Sequence, residues 1–172
     1  MKYQEWRTAA CDPAARRSME RAGVPPLAAL TLCARGLDTV EKARSFLDAG
    51  RGQLLEPRLM KDMDAAAARV RRALEQGEQI AVYGDYDVDG ITATCLLTDF
   101  LRSEGGEVVP YIPDRMEEGY GLNREAVDPL RQAGVSLIVT VDCGITAVAE
   151  TDYANSLGME VIITDHHECK EA

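Results

Sequence analysis

The sequence predicts an α/β fold: a parallel β-sheet flanked by helices, preceded by a short helical appendage. Three observations carry this. After residue 60, short apolar runs alternate four times with helical patterns, the signature of strands joined by crossover helices. Each run is bounded by glycine or polar turn residues, as a buried strand is. Clusters of Asp and His directly follow three of the four runs, where parallel sheets bind their ligands.

Residues 1–60 read as short helices and loops. LAALTLCARG, after Pro25–Pro26, has helical spacing and stops at Gly36. Asp38 with Glu41 reads as a capping box for TVEKARSFLDAG, ending at Gly50. In residues 61–172 the pattern becomes regular. DAAAARVRRALEQ is an alanine-rich helix with Asp64 as N-cap and Gly77 as stop. QIAVYG (79–84) is a strand and ITATCLLTDFLRSEG (91–105) a helix. EVVPYI (107–112) is a strand in which Pro110 implies an edge or a bulge. Asn123 caps a helix to about residue 133, which Pro129 should kink or shorten. SLIVTV (136–141) is a strand, TAVAETDYANSLG (146–158) a helix and EVIIT (160–164) a strand.

Composition narrows the function classes. The 172 residues are 46% hydrophobic, a globular proportion. No apolar run approaches the roughly 20 residues needed to cross a bilayer, and the N-terminus lacks a signal-peptide core. A cytoplasmic protein without membrane contact is expected. Five cysteines, widely spaced and without a CxxC, fit free thiols rather than a disulfide framework or zinc ribbon. The net charge of −10 argues against a general polyanion-binding surface. A nucleic-acid substrate would then depend on metal ions and a local basic groove.

The chemistry sits in four segments. Gly84-Asp85-Tyr86-Asp87-Val88-Asp89-Gly90 places three carboxylates at spacing two after a strand. In an extended segment all three would point the same way, an arrangement that calls for a hard cation such as Mg²⁺ or Mn²⁺. DYDVDG also matches half of an EF-hand loop. That loop needs a preceding helix and a Glu at its twelfth position, where Leu96 stands. The bland reading, Asp89 as a helix cap, leaves Asp85 and Asp87 unexplained. Asp142-Cys143-Gly144 follows the third strand. Cys143 has no basic neighbour in sequence and reads as a packed thiol. Asp165-His166-His167-Glu168 follows the fourth strand and holds both histidines of the chain, suited to a metal ligand and its supporting neighbour. In the loop after the second strand, Arg115 is a candidate phosphate contact and Tyr120 a candidate base-stacking residue. The bland reading there is a mobile loop with an ion pair. No Walker-type phosphate loop is present.

YGDYDVDGITAT, IPDR-x-x-EGYGLN, VTVDCGI and VIITDHHE resemble, in order, the motifs of DHH-family phosphoesterases, which have a Rossmann-like fold. The DYDVDG and EGYGL forms, and the helical stretch before them, resemble the RecJ-type branch of that family. The resemblance implies metal-dependent 5′→3′ exonuclease action on single-stranded DNA, in repair and recombination, with Mn²⁺ or Mg²⁺ as cofactor and two ions at the centre. It implies that Asp87 and Asp89 bind metal, with Asp85 as a further ligand or its support. Asp142 matches an aspartate able to bridge two metals, and His166 a metal ligand. His167 would lie near the scissile phosphate, with Asp165 orienting the motif. His167, Asp142 and Asp89 are the expected catalytic residues; Arg115, His167 and Tyr120 are the expected substrate contacts. The resemblance also implies that the phosphoesterase domain is truncated at its C-terminal end, since family members continue to a further metal-binding Asp and a second domain. Two other readings stay open. One is another DHH chemistry, on oligoribonucleotides, cyclic dinucleotides or polyphosphate. The other is an inactive nucleic-acid-binding module. Helicases or single-strand-binding proteins would be the kind of partner such an exonuclease meets.

Overall fold

The computed structural model describes residues 8–169, apart from Arg115 and Glu117. The chain divides into two compact units between Glu56 and Pro57.

The first unit holds α1 (Pro13–Arg21), α2 (Pro26–Ala34) and α3 (Val40–Leu47). They share a small core of Met19, Val24, Ala29, Leu32, Cys33 and Ala43. Asp12 caps α1 by accepting the Ala14 N–H at 2.9 Å. The expected capping box at Asp38 is corrected: Thr39 caps α3, accepting from the Lys42 N–H at 3.2 Å. Asp38 pairs instead with the Lys42 ammonium, one turn away, at 2.8 Å. The helix ends at Leu47, short of Gly50.

The second unit contains α4 (Met63–Gln76), β1 (Gln79–Tyr83), α5 (Val88–Ser103), β2 (Glu107–Tyr111), α6 (Arg124–Gln132), β3 (Val135–Val141), α7 (Val148–Ser156) and β4 (Glu160–Thr164). The strands form one parallel sheet in the order β2-β1-β3-β4. Ala73 and Leu101, from α4 and α5, pack on one face with Ile80, Val82, Leu137 and Val139. Helices α6 and α7 cover the other face, over Ala81, Tyr83 and Ile138. Neighbouring strand residues thus point to opposite cores, so the strands are mainly apolar between their ends. A register irregularity at Gln79/Ile80, where Ser136 is passed over, moves Val135 and Leu137 into opposite cores despite their equal parity.

Several expectations shift. Helix α4 starts at Met63, so Asp64 is no cap but a negative charge in the first turn, where it still favours the helix dipole. Helix α5 begins three residues early, at Val88, and its N-cap is Asp87, not Asp89. Thr146 precedes α7 rather than opening it. Pro129 does not shorten α6, which runs through it to Gln132. The carbonyl it leaves without a donor, at Glu125, is on an exposed residue, and the Pro129 carbonyl still accepts from Ala133 at 2.9 Å. Pro110 lies on the edge strand β2, as its missing donor requires.

Candidate metal centre

The chain leaves β1 for β2 on one side and returns to β3 on the other, so the connections that follow β1 and β3 diverge at the C-terminal edge, the switch point where such a sheet places its ligand crevice. The β1–α5 turn forms one wall. Its shape depends on two glycines. A Cβ at Gly90 would stand 2.6 Å from the backbone of Asp85, and one at Gly84 would strike Thr94. Only glycine lets the first turn of α5 sit this close to the end of β1.

The three carboxylates of this turn do not point one way, because the segment is helical from Val88 on. Asp85 is buried, 2% exposed, and accepts the Tyr86 N–H at 2.6 Å. Asp87 caps α5 through Oδ1, which accepts the Gly90 N–H at 2.9 Å. Asp89 is exposed in the first helical turn.

Asp142 comes from the end of β3. Its N–H still extends the ladder to the Thr164 carbonyl, at 3.0 Å. Its φ of +61° then takes the chain out of the sheet in a conformation that Asp tolerates better than most residues. Cys143 is buried, reaches the Tyr83 carbonyl at 3.7 Å, and burial pushes its thiol up to about 12. It is a packed thiol, as its sequence context implied. Burial and the nearby Asp87 carboxylate raise the Asp142 pKa; the imidazoles of His166 and His167 work against them, and Asp89 adds to the rise. The charges of the β1–α5 turn are therefore felt at Asp142.

The third wall follows β4. Asp165 accepts the Ile145 N–H at 2.9 Å through Oδ2. Its Oδ1 takes the His167 N–H at 3.0 Å and the His167 ring at Nδ1, 2.7 Å away. Burial alone would raise the Asp165 pKa, but these bonds outweigh it and hold the carboxyl low. The same bond raises His167. With Nδ1 committed to Asp165, Nε2 is the nitrogen left for other work. The His166 Nε2 lies 3.0 Å from Asp142 Oδ1.

One oxygen of Asp142 and one nitrogen from each of His166 and His167 lie within 4.8 Å of one another. A carboxylate with two imidazoles suits a first-row divalent cation, and the surrounding acids supply the negative field such a cation neutralises. Among the described residues the tight cluster takes in Asp142, His166 and His167; Asp85, Asp87 and Asp89 stand outside it.

The fourth wall is the β2–α6 loop. Arg115 lies outside the described residues. The Tyr120 hydroxyl is 3.4 Å from the Asp142 carbonyl and 3.3 and 3.5 Å from the two ring nitrogens of His167. Its ring stands edge-on to Tyr86 and His167. Sequence reasoning passed over Glu118, whose carboxylate binds the Tyr111 hydroxyl at 2.7 Å, the Asp114 N–H at 2.9 Å and the Asn123 amide at 3.3 Å. Burial pushes Glu118 up, yet these donors bring it net below its usual range. The only signal in the sequence was a Glu directly before Gly-Tyr-Gly. Asn123, expected as a cap, does cap α6 and also reaches Tyr83 at 3.1 Å.

Comparison with known proteins agrees with the fold that carries these residues. The single-stranded-DNA-specific exonuclease RecJ of Bacillus subtilis is 47% identical over 149 residues, covering 87% of this chain and 19% of its own length. The exonuclease of the same name from Thermus thermophilus is 41% identical over 168 residues, covering 94% and 23%. The chain thus spans about a fifth of the length of these relatives. The crystal structure of RecJ with Mn²⁺ from Thermus thermophilus matches with a TM-score of 0.68 at 37% identity, over 97% of this chain and 23% of that one. A crystal structure of exonuclease RecJ bound to manganese matches with a TM-score of 0.63 at 44% identity, over 69% and 31%. Residues 79–172, which carry all four walls of the crevice, match the DHH family, N-terminal domain, and the chain belongs to that family.

Proposed function

We propose that this chain carries a metal-dependent phosphodiester-hydrolysing centre acting on single-stranded DNA from its 5′ end. The observation that carries the reading is the meeting of Asp142, His166 and His167 donor atoms within 4.8 Å, at a crevice whose other acids are felt there. The names of the relatives support the substrate, and the Mn²⁺ of the similar structures supports the cofactor.

In this reading Asp142 and His166 hold Mn²⁺ or Mg²⁺, with Asp87, Asp89 and Asp85 completing the sites of two ions. Bound there, such ions activate water and offset phosphoryl charge. Asp87 keeps Oδ2 for this purpose while Oδ1 caps α5. Asp89 adds charge from the first turn of α5. Asp165 fixes the His167 ring, so that Nε2 meets a phosphoryl oxygen and, when protonated, donates to it. Arg115 is a phosphate contact and Tyr120 a substrate contact. The helical unit is an appendage without chemistry of its own. A cytoplasmic setting, with helicases or single-strand-binding proteins as neighbours, goes with this function.

The test is calorimetric Mn²⁺ titration of the chain, with digestion of 5′-labelled single-stranded DNA beside a full-length relative. Oligoribonucleotide, cyclic dinucleotide and polyphosphate serve as competing substrates. Mn²⁺ binding and 5′-mononucleotide release, both abolished by Asp142→Ala or Asp89→Ala, are expected. Wild-type digestion by either folded variant overturns the assigned roles. Preference for a competing substrate moves the chain to another DHH chemistry. Absence of Mn²⁺ binding favours an inactive module.

A further inference from the structure

We propose that Glu118 is a positioning residue: it fixes the Gly119–Tyr120–Gly121 turn so that the Tyr120 hydroxyl holds the His167 imidazole beside Asp142. The inference rests on the reading of His167 as the group that meets the phosphate.

The turn is clamped on both sides of Tyr120. Before it, Glu118 ties together the end of β2 through Tyr111, the start of the loop through Asp114, and the cap of α6 through Asn123. After it, the Gly121 carbonyl accepts from the buried Tyr83 hydroxyl at 3.0 Å. Tyr83 and Tyr111, on neighbouring strands, stack at 5.1 Å and 18°, so the two clamps share one rigid base. Between them, Gly119 and Gly121 have φ of +82° and +81°, and a Cβ at either would meet nothing within 4 Å. The glycines are there for backbone shape, not for space. Tyr120 is therefore presented from a fixed turn.

What Tyr120 reaches is a half-exposed group of the centre. His167 is about half exposed and is held by Asp165 at one ring nitrogen. A single hydrogen bond leaves the ring free to swing about that contact. The Tyr120 hydroxyl, within 3.5 Å of both ring nitrogens and 3.4 Å from the Asp142 carbonyl, supplies the second contact that restricts it. Glu118 touches neither metal donors nor substrate, so it acts only through this turn.

Four variants of the full chain test the coupling: Glu118→Ala, Glu118→Gln, Tyr120→Phe and the double variant Glu118→Ala/Tyr120→Phe, with folding checked by circular dichroism. Side-chain NMR signals of His167 are the first readout and need no turnover. They shift in Tyr120→Phe, shift in the same direction in Glu118→Ala, and shift no further in the double variant. Glu118→Gln keeps an acceptor for the Asp114 amide and shifts less. Steady-state digestion of single-stranded DNA is the second readout. Each single variant lowers kcat roughly tenfold with KM held within about twofold, and the double variant matches the singles. Unmoved His167 signals in folded Glu118→Ala overturn the proposal. So does wild-type turnover in Tyr120→Phe, which would leave the hydroxyl without a part in holding His167. A wild-type chain with neither Mn²⁺ binding nor hydrolysis removes the function proposed above, while the His167 signals still decide the coupling.

Discussion

The two edges of the sheet handle charge in opposite ways. At the N-terminal edge, Arg69 is 11% exposed in its side chain and is bound by both Glu78, at 2.7 Å, and Glu160. Arg72 adds a second contact to Glu160 at 3.1 Å, and the Ser136 hydroxyl donates to Glu78 at 2.6 Å. Each of Arg69, Arg72, Glu78 and Glu160 has an opposite partner, and the network joins α4, β3 and β4. At the C-terminal edge, Asp85, Asp87, Asp89, Asp142 and Asp165 gather with no Lys or Arg paired to them among the described residues; their ionic partners are His166 and His167. One cluster satisfies itself and the other needs something added. Clustered charge alone therefore does not mark a site; uncompensated charge does.

The largest effect that sharpens this contrast is at Asp142. Asp142→Asn keeps the side chain's size and its tolerance of positive φ but removes the charge. Mn²⁺ affinity and hydrolysis should fall by more than the roughly 10–100-fold that loss of a ligand's supporting neighbour costs. Stability in metal-free buffer at neutral pH should rise, because burial and Asp87 raise the Asp142 pKa and so disfavour the charged folded state. Urea unfolding of the two proteins at pH 7 checks this; a loss of stability would place Asp142 with the self-satisfied charges.

Arg69→Ala is the converse at the other edge. It leaves Glu78 with only the Ser136 hydroxyl and Glu160 with only Arg72, and should lower stability by about 2 kcal/mol, read in the same unfolding experiment, while Mn²⁺ titration stays at the wild-type value. A metal-binding defect in a folded Arg69→Ala chain would break the separation of the two edges.

Smaller still is the pH effect of Glu78. Hydrogen bonds from Arg69 and Ser136 hold its carboxyl below the ordinary 4.5. A depressed folded pKa contributes stability above the unfolded value and loses it as pH falls through the folded one. Unfolding free energy should therefore drop on acidification below about 4.5, by about 1 kcal/mol from this group. In Glu78→Gln that part of the pH slope should be missing. An unchanged slope would assign the acid sensitivity to other carboxylates.

Much of this was legible in the primary structure. The apolar runs place β1 to β4 within a residue of their observed bounds, because strands covered on both faces are mainly apolar between their ends. Asp142, His166 and His167 were legible as a group because a parallel sheet carries strand-end residues to one edge, however far apart they lie in the chain. The acids at 85, 87 and 89 were misread in detail. Their spacing suggests an extended ribbon, but α5 starts at Val88 and takes Asp87 as its cap, which sends the three carboxylates into different surroundings.

The chain's own chemistry determined the alternation of strands and helices, the glycines that allow the β1–α5 turn, and the acidic and imidazole groups available for a cation. Tertiary structure decided the strand order that opens the crevice, the left-handed turn at Asp142, and the network through Glu118 that sets Tyr120 against His167. Each of these depends on contacts between residues distant in sequence. Local propensity reports what a segment prefers on its own, and only packing shows which side chains end up facing one another.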